Sequence, residues 1–274
     1  MKMPQSSRRR VRIAAAGVLT LTACQVPMTT GHAQAPAPVA AFYDGFDGPA
    51  GHPPSARWRY DVGGGGWGNN EMQVYTDSPD NVRLDGAGNL EIVARGGPGG
   101  EITSARITTK GTVEFTSGRA EARIALPAGA GLHPAFWLLG ADLDEVGWPE
   151  AGEIDVIETL NHAPEYHTGV HVPSDGPQRR EQLTTSGPAP FPLAGQFHTY
   201  WVDREPGRVT TGIDDLTLYT VTPADLAPES RWVFDGPFFL LLNLAVGGSW
   251  PGPPDVSTPN PSTMLVDWVK VTPR

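Results

Sequence analysis

Three carboxylates fall within six residues of a strand-forming run, Gly152-Glu153-Ile154-Asp155-Val156-Ile157-Glu158. Side chains alternate between the two faces of a β-strand, so Glu153 and Asp155 share a face while Glu158 is out of phase by one residue. One extra residue, a β-bulge, would return Glu158 to the face of the other two, and bulges are common beside active sites. Three like charges on one face repel one another and are costly to desolvate, so the segment predicts a bulged strand at a reactive site.

The spacing of the acids supports distinct chemical roles. A retaining glycosidase needs a nucleophilic carboxylate and an acid/base carboxyl group about 5–5.5 Å apart. Glu153 and Glu158, at the two ends of the set, are the natural pair, and Asp155 between them would tune their protonation and orient the nucleophile. A solvated acidic strand or a calcium site is the alternative, but calcium favours flexible loops, whereas the residues between these acids are β-branched and stiff.

The rest of the chain has the pattern of an all-β protein. Alternating runs such as Leu90–Arg95 and Ala120–Leu126 are separated by turn signals rich in glycine and proline. The runs Phe136–Leu139 and Phe238–Val246 are apolar on both faces, as central strands of stacked sheets should be. After about Phe42 there is no second linker and no repeat. The prediction is a single domain formed by a sandwich of two antiparallel sheets.

The last apolar run also alternates. A strict period of two places Leu265, Asp267 and Val269 on one face of a strand and Val266 and Trp268 on the other. This run is therefore predicted to be a regular strand.

The charge of the body excludes one class of partner. The net charge is −10, but the first 35 residues contain five basic residues and no acid, which leaves 15 basic against 30 acidic residues, a net charge of −15. An acidic body is a poor partner for phosphate backbones, which reward clustered lysine and arginine. No nucleic-acid partner is expected.

Residues 1–35 have the pattern of an export signal. A basic region ending at Arg12 precedes an apolar run, residues 13–23, that is too short to cross a bilayer. Two cleavage sites compete. Leu21-Thr22-Ala23-Cys24 resembles a lipoprotein box, which would place a lipid on Cys24, whereas Ala33-Gln34-Ala35 would release a soluble protein. Either way the chain is predicted to be extracellular, secreted or lipid-anchored at the cell surface, with a linker at 36–41 before a folded domain at 42–274.

Tryptophans near the acidic strand suit an aromatic cleft. Sugar rings present apolar C–H faces, so Trp67, Trp137 and Trp148 are candidates for stacking against a glycan, although any one of them would equally suit a core. Asn69 lies beside Trp67 in a polar cluster that would equally form a tight turn. His171 would lie on the strand after Glu158, within reach of a catalytic carboxylate or in a purely structural hydrogen bond.

These segments resemble glycoside hydrolase family 16, and within it the bacterial laminarinase-like endo-β-1,3-glucanases, over about Phe42 to Val271. The most specific match is Trp148–Glu158, which has the bulged E-x-D-x-x-E form. The supporting segments are Gly66–Glu71, Thr116–Arg123, Pro134–Gly140 and Leu242–Gly252.

The resemblance implies a β-jelly roll of the concanavalin A-like type, with a concave sheet that forms an open groove. It implies a retaining double displacement with Glu153 as nucleophile, Asp155 as its assistant and Glu158 as acid/base. It places Trp137, Trp148, Asn69 and His171 along the groove, and it makes a β-1,3-glucan the expected substrate. The protein is expected to be a monomer. Two alternatives stay open: the same chemistry on mixed-linkage glucan, agarose, carrageenan or a galactan, and a non-catalytic glucan-binding lectin.

No cofactor and no metal are expected. Cys24 is the only cysteine, and there is no HExxH pair. Some members of the family bind a structural calcium through one acid near each end of the domain. Asp267 matches the C-terminal acid, but Gly45 stands where the N-terminal acid is expected, which counts against calcium here.

Overall fold

A computed structural model describes residues 41–96 and 100–274. The predicted export signal at 1–35, with Cys24, and residues 36–40 of the predicted linker lie outside the described residues. Those described belong to one compact unit. None of the helices within this part of the chain is long and apolar enough to cross a membrane.

The strands form two stacked sheets, and the predicted all-β sandwich is confirmed. Their bounds are β1 (Phe42–Asp44), β2 (Arg59–Tyr60), β3 (Gln73–Tyr75), β4 (Val82–Leu84), β5 (Leu90–Gly96), β6 (Ile102–Ser104), β7 (Arg106–Thr108), β8 (Glu114–Phe115), β9 (Gly118–Ala125), β10 (Leu132–Gly140), β11 (Glu153–Glu158), β12 (Tyr166–Pro173), β13 (Arg180–Gly187), β14 (His198–Glu205), β15 (Arg208–Ile213), β16 (Leu216–Val221), β17 (Phe238–Val246) and β18 (Ser262–Pro273). The helical segments are α1 (Trp67–Asn70), α2 (Leu143–Val146) and a 3₁₀ turn, Pro223–Asp225.

The ten-stranded sheet has the order β16-β15-β14-β9-β18-β5-β6-β3, with β1 beside β18 and β4 beside β5. The eight-stranded sheet has the order β13-β12-β11-β10-β17-β7-β2, with β8 beside β17. Neighbouring strands are antiparallel except for β3 and β6, which run parallel.

The main core lies between the two sheets and follows the alternation seen in the sequence. On β9, Ala120, Ala122 and Ile124 are fully buried, and on β5 Leu90 and Ile92 are fully buried. Each large aliphatic side chain buried in this way contributes about 1.5–3 kcal/mol relative to exposure. The alternating runs are thus the inward faces of the sandwich.

Strand β17 is central and apolar on both faces, as predicted. Leu240 and Leu242 point into the main core, while Phe239 and Leu241 join Leu139 of β10 in a smaller cluster on the opposite face. β10 pairs along one whole edge of β17, β7 and β8 pair along parts of the other, and all nine residues of β17 are buried. This strand and β10 form a rigid floor beside the acidic strand.

The predicted bulge in β11 is confirmed. The register of β11 against β10 shifts by one residue between Asp155 and Ile157, so Val156 has no partner on β10. Val156 and Ile157 are both fully buried in the main core. The extra residue returns Glu158 to the face that carries Glu153 and Asp155.

A second bulge makes the prediction of a regular C-terminal strand wrong. The register of β18 against β9 shifts between Val266 and Trp268. Val266 and Val269 are therefore both fully buried, whereas Leu265 is only half-buried and does not share a face with Val269. Asp267 stands at the bulge without a partner on β9, and its carboxylate pairs with Arg123 of that strand.

Candidate active site

A groove of about 960 Å³ crosses the face of the eight-stranded sheet that points away from the core. Its volume lies in the range that binds small-molecule ligands. Each of six neighbouring strands contributes at least one side chain to it, among them Arg106 of β7, Asn243 of β17, Trp137 of β10, Glu153 of β11, His171 of β12 and Gln182 of β13. All eight residues singled out from the sequence line this groove: Glu153, Asp155, Glu158, Trp67, Asn69, Trp137, Trp148 and His171.

Glu153 lies at the edge of the acidic cluster, where Trp148 reaches it from the preceding loop. The indole Nε1–H of Trp148 donates a hydrogen bond to Oε2 of Glu153 over 2.8 Å. Burial, and then the charge of Asp155, raise the pKa of Glu153 to about 8, while His171 and the Trp148 donor act in the opposite direction. The Trp148 ring itself is 43% exposed, so it forms a wall of the groove.

Asp155 is the most buried of the three acids, at 3% exposure. Burial and then the charge of Glu158 raise its pKa, and His171 opposes them. His171 lies opposite Glu153 in the register of β11 and β12. Its Nε2 is 3.2 Å from Asp155 Oδ2 and 3.7 Å from Glu153 Oε1.

Burial lowers the pKa of His171, but its contact with Asp155 and the charges of Glu153 and Glu158 outweigh burial and raise the pKa to about 9. His171 is therefore an imidazolium at neutral pH. It supplies the positive charge that lets two buried carboxyl groups stand side by side.

Glu158 has a partner that the sequence analysis did not identify. His133 of β10 is 4% exposed, and its Nε2 lies 2.9 Å from Oε1 of Glu158. Burial lowers the pKa of His133, but the hydrogen bond and charge of Glu158 outweigh it and raise the pKa. The ring of Trp250 packs edge-on against the imidazole, with centroids 5.1 Å apart.

Trp137 is held in the groove by a chain of hydrogen bonds. Its Nε1–H donates to Oδ1 of Asn243 over 2.7 Å, Nδ2 of Asn243 donates to the hydroxyl of Tyr75 over 3.2 Å, and that hydroxyl donates to Oε2 of Glu71 over 3.3 Å. Gln73 donates to the same Glu71 oxygen over 2.7 Å. The chain fixes the plane of the indole, so Trp137 belongs to the groove and not to the main core.

Arg106 lies between two indoles. Its guanidinium carbon is 4.6 Å from the ring centre of Trp137 and 5.6 Å from that of Trp67, and its Nε pairs with Asp61 over 2.9 Å. Cation–π contacts of this kind stabilise the two rings in place. This end of the groove thus combines aromatic faces with one positive charge.

Asn69 and Trp67 occupy α1, a helical turn that backbone contacts hold at the groove. Ser249 donates its N–H to the carbonyl oxygen of Asn69 over 2.6 Å. Gly248, at φ +101°, makes this approach possible, because a Cβ there would lie 2.6 Å from the same oxygen. The turn expected from the sequence and the groove position are therefore both present.

The opposite end of the groove is polar. Alternate residues of the edge strand β13 are exposed along it, and Arg180 lies over the Trp148 ring with its guanidinium carbon 5.2 Å from the ring centre. The polar members of this row are Gln182, Thr184 and Ser186. Hydroxyl and amide groups at this spacing suit hydrogen bonds to sugar hydroxyls.

One group of acids and histidines among the described residues comes close enough to hold a metal ion, namely Glu153, Asp155 and His171. Asp155, Glu153 and Glu158 raise the pKa of His171, so a proton competes with a metal ion for the ring nitrogen of this group. The position that the family resemblance associates with calcium does not fit the ion. The carboxylate of Asp267 pairs with Arg123, and Gly45 has no side-chain ligand to offer.

The residues missed by the sequence analysis left different signals. Asn243 is the one polar residue in the apolar run of β17, and His133 is in phase with Trp137 on β10. Arg106 left no such signal, because an arginine at the start of a short strand is ordinary. Its position between two indoles depends on pairing between distant segments.

The arrangement can support proton transfer and nucleophilic attack within one groove. Glu153 and Glu158 lie on the same strand face, each with its own hydrogen-bond partner, Trp148 and His133 respectively. Nε2 of His171 lies close to a carboxyl oxygen of Asp155 and to one of Glu153, so the three groups interact electrostatically. Two carboxyl groups with different surroundings are what acid/base and nucleophilic roles require.

Comparison with known proteins gives concordant results. The family model for glycosyl hydrolases family 16 matches residues 67–270. A β-glucanase from Rhodothermus marinus is 39% identical over 239 residues, which cover 81% of this chain and 81% of that protein. A glucan endo-1,3-β-glucosidase from Cryptopygus antarcticus is 34% identical over 210 residues, covering 72% of this chain and 77% of its own length.

Solved structures agree with these relatives. The X-ray structure of the laminarinase from Rhodothermus marinus superimposes with a TM-score of 0.77 at 36% identity, covering 87% of this chain and 98% of that chain. The endo-β-1,3-glucanase from Pyrococcus furiosus gives a TM-score of 0.75 at 38% identity, covering 85% and 93%.

Proposed function

This chain belongs to glycosyl hydrolases family 16, and we propose that it cleaves internal β-1,3-glucosidic bonds of laminarin-type β-glucans with retention of anomeric configuration. The chain is a glycoside hydrolase, and its relatives support action within glucan chains.

One observation carries the proposal. The bulge at Val156 brings Glu153, Asp155 and Glu158 into a single groove lined by tryptophans. A purely sugar-binding surface would use the tryptophans but would gain nothing from one buried and two half-buried acids, which cost desolvation free energy. Hydrolysis of a glycosidic bond uses a pair of carboxyl groups on the two sides of the scissile bond.

In the first step Glu153 attacks the anomeric carbon. Attack requires the carboxylate form, yet burial and Asp155 raise the pKa of Glu153 to about 8. The two acids cannot both be ionised at low cost, so the pair shares a proton. Asp155 is the more buried, with 4% of its side chain exposed against 19% for Glu153, and Glu153 receives the Trp148 N–H. We therefore place the shared proton on Asp155, which leaves Glu153 free to attack.

Glu158 provides the matching proton transfers. It protonates the leaving glycosidic oxygen as the bond from Glu153 to the anomeric carbon forms. It then accepts a proton from water as the water oxygen displaces Glu153 from that carbon. Two inversions at one carbon give net retention, and both carboxyl groups return to their starting states.

The shape of the groove supports cleavage within a chain. The groove runs across six strands, with the acidic strand β11 between an aromatic end and a polar end. A polysaccharide that crosses the sheet would therefore contact residues on both sides of the scissile bond. The relatives described as endo-1,3-β-glucosidases support a β-1,3-glucan as the occupant.

The direct test is hydrolysis of laminarin by the wild-type protein and by Glu153→Gln. We expect the substitution to lower the release of reducing ends by about 10³-fold or more while leaving oligosaccharide binding and folding intact. Glu150→Gln is the matched control, because Glu150 carries the same group three residues away and faces Arg231 instead of the groove. Proton NMR of the first products should show the β-anomer.

Wild-type protein that binds laminarin without cleaving it would point to the lectin alternative. Cleavage of agarose, carrageenan or mixed-linkage glucan in preference to laminarin would replace the proposed substrate. Hydrolysis by Glu153→Gln near the wild-type rate would refute the assignment of the nucleophile.

We also propose that the enzyme is exported and acts outside the cell. The basic and apolar pattern of residues 1–35 supports export, and the sequence around Cys24 supports a lipid anchor as one of two outcomes. Mass spectrometry of the mature N-terminus distinguishes a lipidated Cys24 from cleavage after Ala35, and an unprocessed Met1 would contradict export.

A further inference from the structure

His133 has the geometry of a group that controls Glu158. It lies on β10, in phase with Ala135 and Trp137, and Ala135 stands opposite Glu158 in the register with β11. The imidazole is 4% exposed and its Nε2 is 2.9 Å from Oε1 of Glu158. A side chain buried to this degree, on a rigid central strand, holds one orientation.

The direction of this hydrogen bond follows from the surroundings. Nδ1 of His133 is buried and has no hydrogen-bond partner among the described residues. A carboxylate accepts hydrogen bonds, so the proton of the ring lies on Nε2 and is donated to Glu158. The hydrogen bond and charge of Glu158, followed by the charge of Glu71, outweigh burial and raise the pKa of His133.

Trp250 packs against His133 and against a second histidine, His167. Its ring packs edge-on against His133 at 5.1 Å and against His167 at 5.0 Å between centroids. His167 faces Glu158 across β11 and β12, but it makes no hydrogen bond to a carboxylate within the described part of the chain. His133 is thus the histidine that acts on Glu158.

We propose that His133 is a positioning residue for Glu158: by donating Nε2–H to Oε1, it leaves Oε2 as the oxygen that gives and receives the catalytic proton. This inference rests on the proposed function, in which Glu158 is the acid/base. In the first step Oε2–H passes its proton to the leaving oxygen, whose bond to the anomeric carbon breaks as the Glu153 bond forms. In the second step Oε2 takes a proton from the attacking water. His133 keeps its own proton throughout.

Loss of the His133 hydrogen bond should slow only those reactions whose leaving group needs protonation. A sugar hydroxyl is a poor leaving group, so its departure depends on a correctly directed acid, whereas 2,4-dinitrophenolate departs without one. Misdirecting a catalytic group by about 1 Å can lower a rate by about 100-fold. Loss of the His133 donor should therefore harm the natural reaction and spare cleavage of the activated substrate.

The experiment compares His133→Phe and His133→Gln on two substrates, a β-1,3-linked oligoglucoside and its 2,4-dinitrophenyl glycoside. We expect His133→Phe to lower kcat/KM about 10- to 100-fold on the oligoglucoside and less than about 3-fold on the dinitrophenyl glycoside. On the latter, kcat and KM should fall together, because release of the glycosyl-enzyme still needs Glu158 as a base. Gln carries an N–H donor, so His133→Gln should recover most of the loss.

His167→Phe is the matched control, because it removes a second histidine from the same Trp250 contact. Any loss it causes should be equal on the two substrates. Circular dichroism and thermal unfolding show whether each variant folds. If His133→Phe does not fold, His133→Asn takes its place, since its shorter amide falls short of Glu158 and should show the same selectivity.

An equal loss of kcat/KM on both substrates, or near-wild-type hydrolysis of the oligoglucoside by the Phe or Asn variant, would overturn the inference. Failure of the proposed function gives a different result. In that case the wild-type protein would cleave neither substrate, which would overturn the inference together with the proposed function.

Discussion

Trp148→Phe isolates one hydrogen bond to Glu153. The substitution keeps an aromatic ring in the groove wall but removes the Nε1–H that lies 2.8 Å from Oε2 of Glu153. That donor stabilises the ionised carboxylate, so its loss raises the pKa of Glu153 further above its ordinary value. Attack requires the ionised form, and activity should therefore begin at a higher pH in the variant.

The size of the shift follows from the contact. A hydrogen bond to a charged group contributes about 1.5–3 kcal/mol, and partial exposure places this one at the lower end. Because Trp148 is 43% exposed, we take about 1.5 kcal/mol, which corresponds to about one pKa unit. The acidic limb of kcat/KM should move up by about one pH unit, so that below the limb kcat/KM falls about tenfold and above it much less.

The assay is the pH profile of kcat/KM on a soluble β-1,3-oligoglucoside, which reports ionisations of the free enzyme. Trp250→Phe is the control, since Trp250 is a groove tryptophan of nearly equal exposure, 42%, and its described contacts include no hydrogen bond to a carboxylate. The acidic limb of this control should stay at its wild-type position. A Trp148→Phe limb that does not move would show that the indole is only a wall and would refute the reasoning.

Three further predictions concern stability. His171 has a pKa of about 9 in the folded state and about 6.5 in the unfolded state. Its contribution to the unfolding free energy is therefore full below about pH 6.5 and is lost as the pH rises through about 9. In urea titrations, the difference in unfolding free energy between wild type and His171→Gln should shrink over that window. Arg204→Met leaves three backbone carbonyl acceptors of a fully buried guanidinium without donors, and chemical denaturation should show a loss of about 3–5 kcal/mol, against about 1 kcal/mol or less for the exposed Arg208→Met. Gly169→Ala would place a Cβ 2.5 Å from a backbone oxygen of β13 and should lower the unfolding free energy by about 1–3 kcal/mol. For each of the three variants, an unfolding free energy equal to that of the wild type would contradict the contacts of the replaced residue.

The acidic strand could be predicted in detail because its signals are local. Alternation alone determines which side of a strand a residue occupies, and the cost of placing Glu158 in the core demands a bulge between it and Asp155. The structure puts that bulge at Val156. Alternation alone assigns the wrong faces around Asp267. A half-buried acid beside Trp268 costs little desolvation free energy in a regular strand, so no comparable cost indicated a bulge there. Nothing in the local sequence required the second bulge.

Arg204 shows where residue type and pattern conflict. It follows Tyr200 and Val202 at intervals of two on β14, so alternation places it in the core, while its charge argues for solvent. The conflict is resolved by three backbone carbonyl oxygens, those of Phe115, Phe234 and Gly236, which accept its hydrogen bonds. These acceptors are 30 to 89 residues away in sequence, so no local pattern could reveal them.

His133 belongs to the same class of long-range feature, but it also depends on the bulge. With a regular β11, Glu158 would point into the core and its carboxyl group could not meet a side chain of the groove face of β10. The extra residue at Val156 turns Glu158 to that face, where the β10 register brings the imidazole to 2.9 Å. The bulge therefore determines both the placement of the proposed acid and the identity of the residue that orients it. Deleting Val156 should separate Glu158 from His133 and from Glu153 at once, and should abolish hydrolysis of activated and natural substrates alike, in contrast to the selective loss expected for His133→Phe.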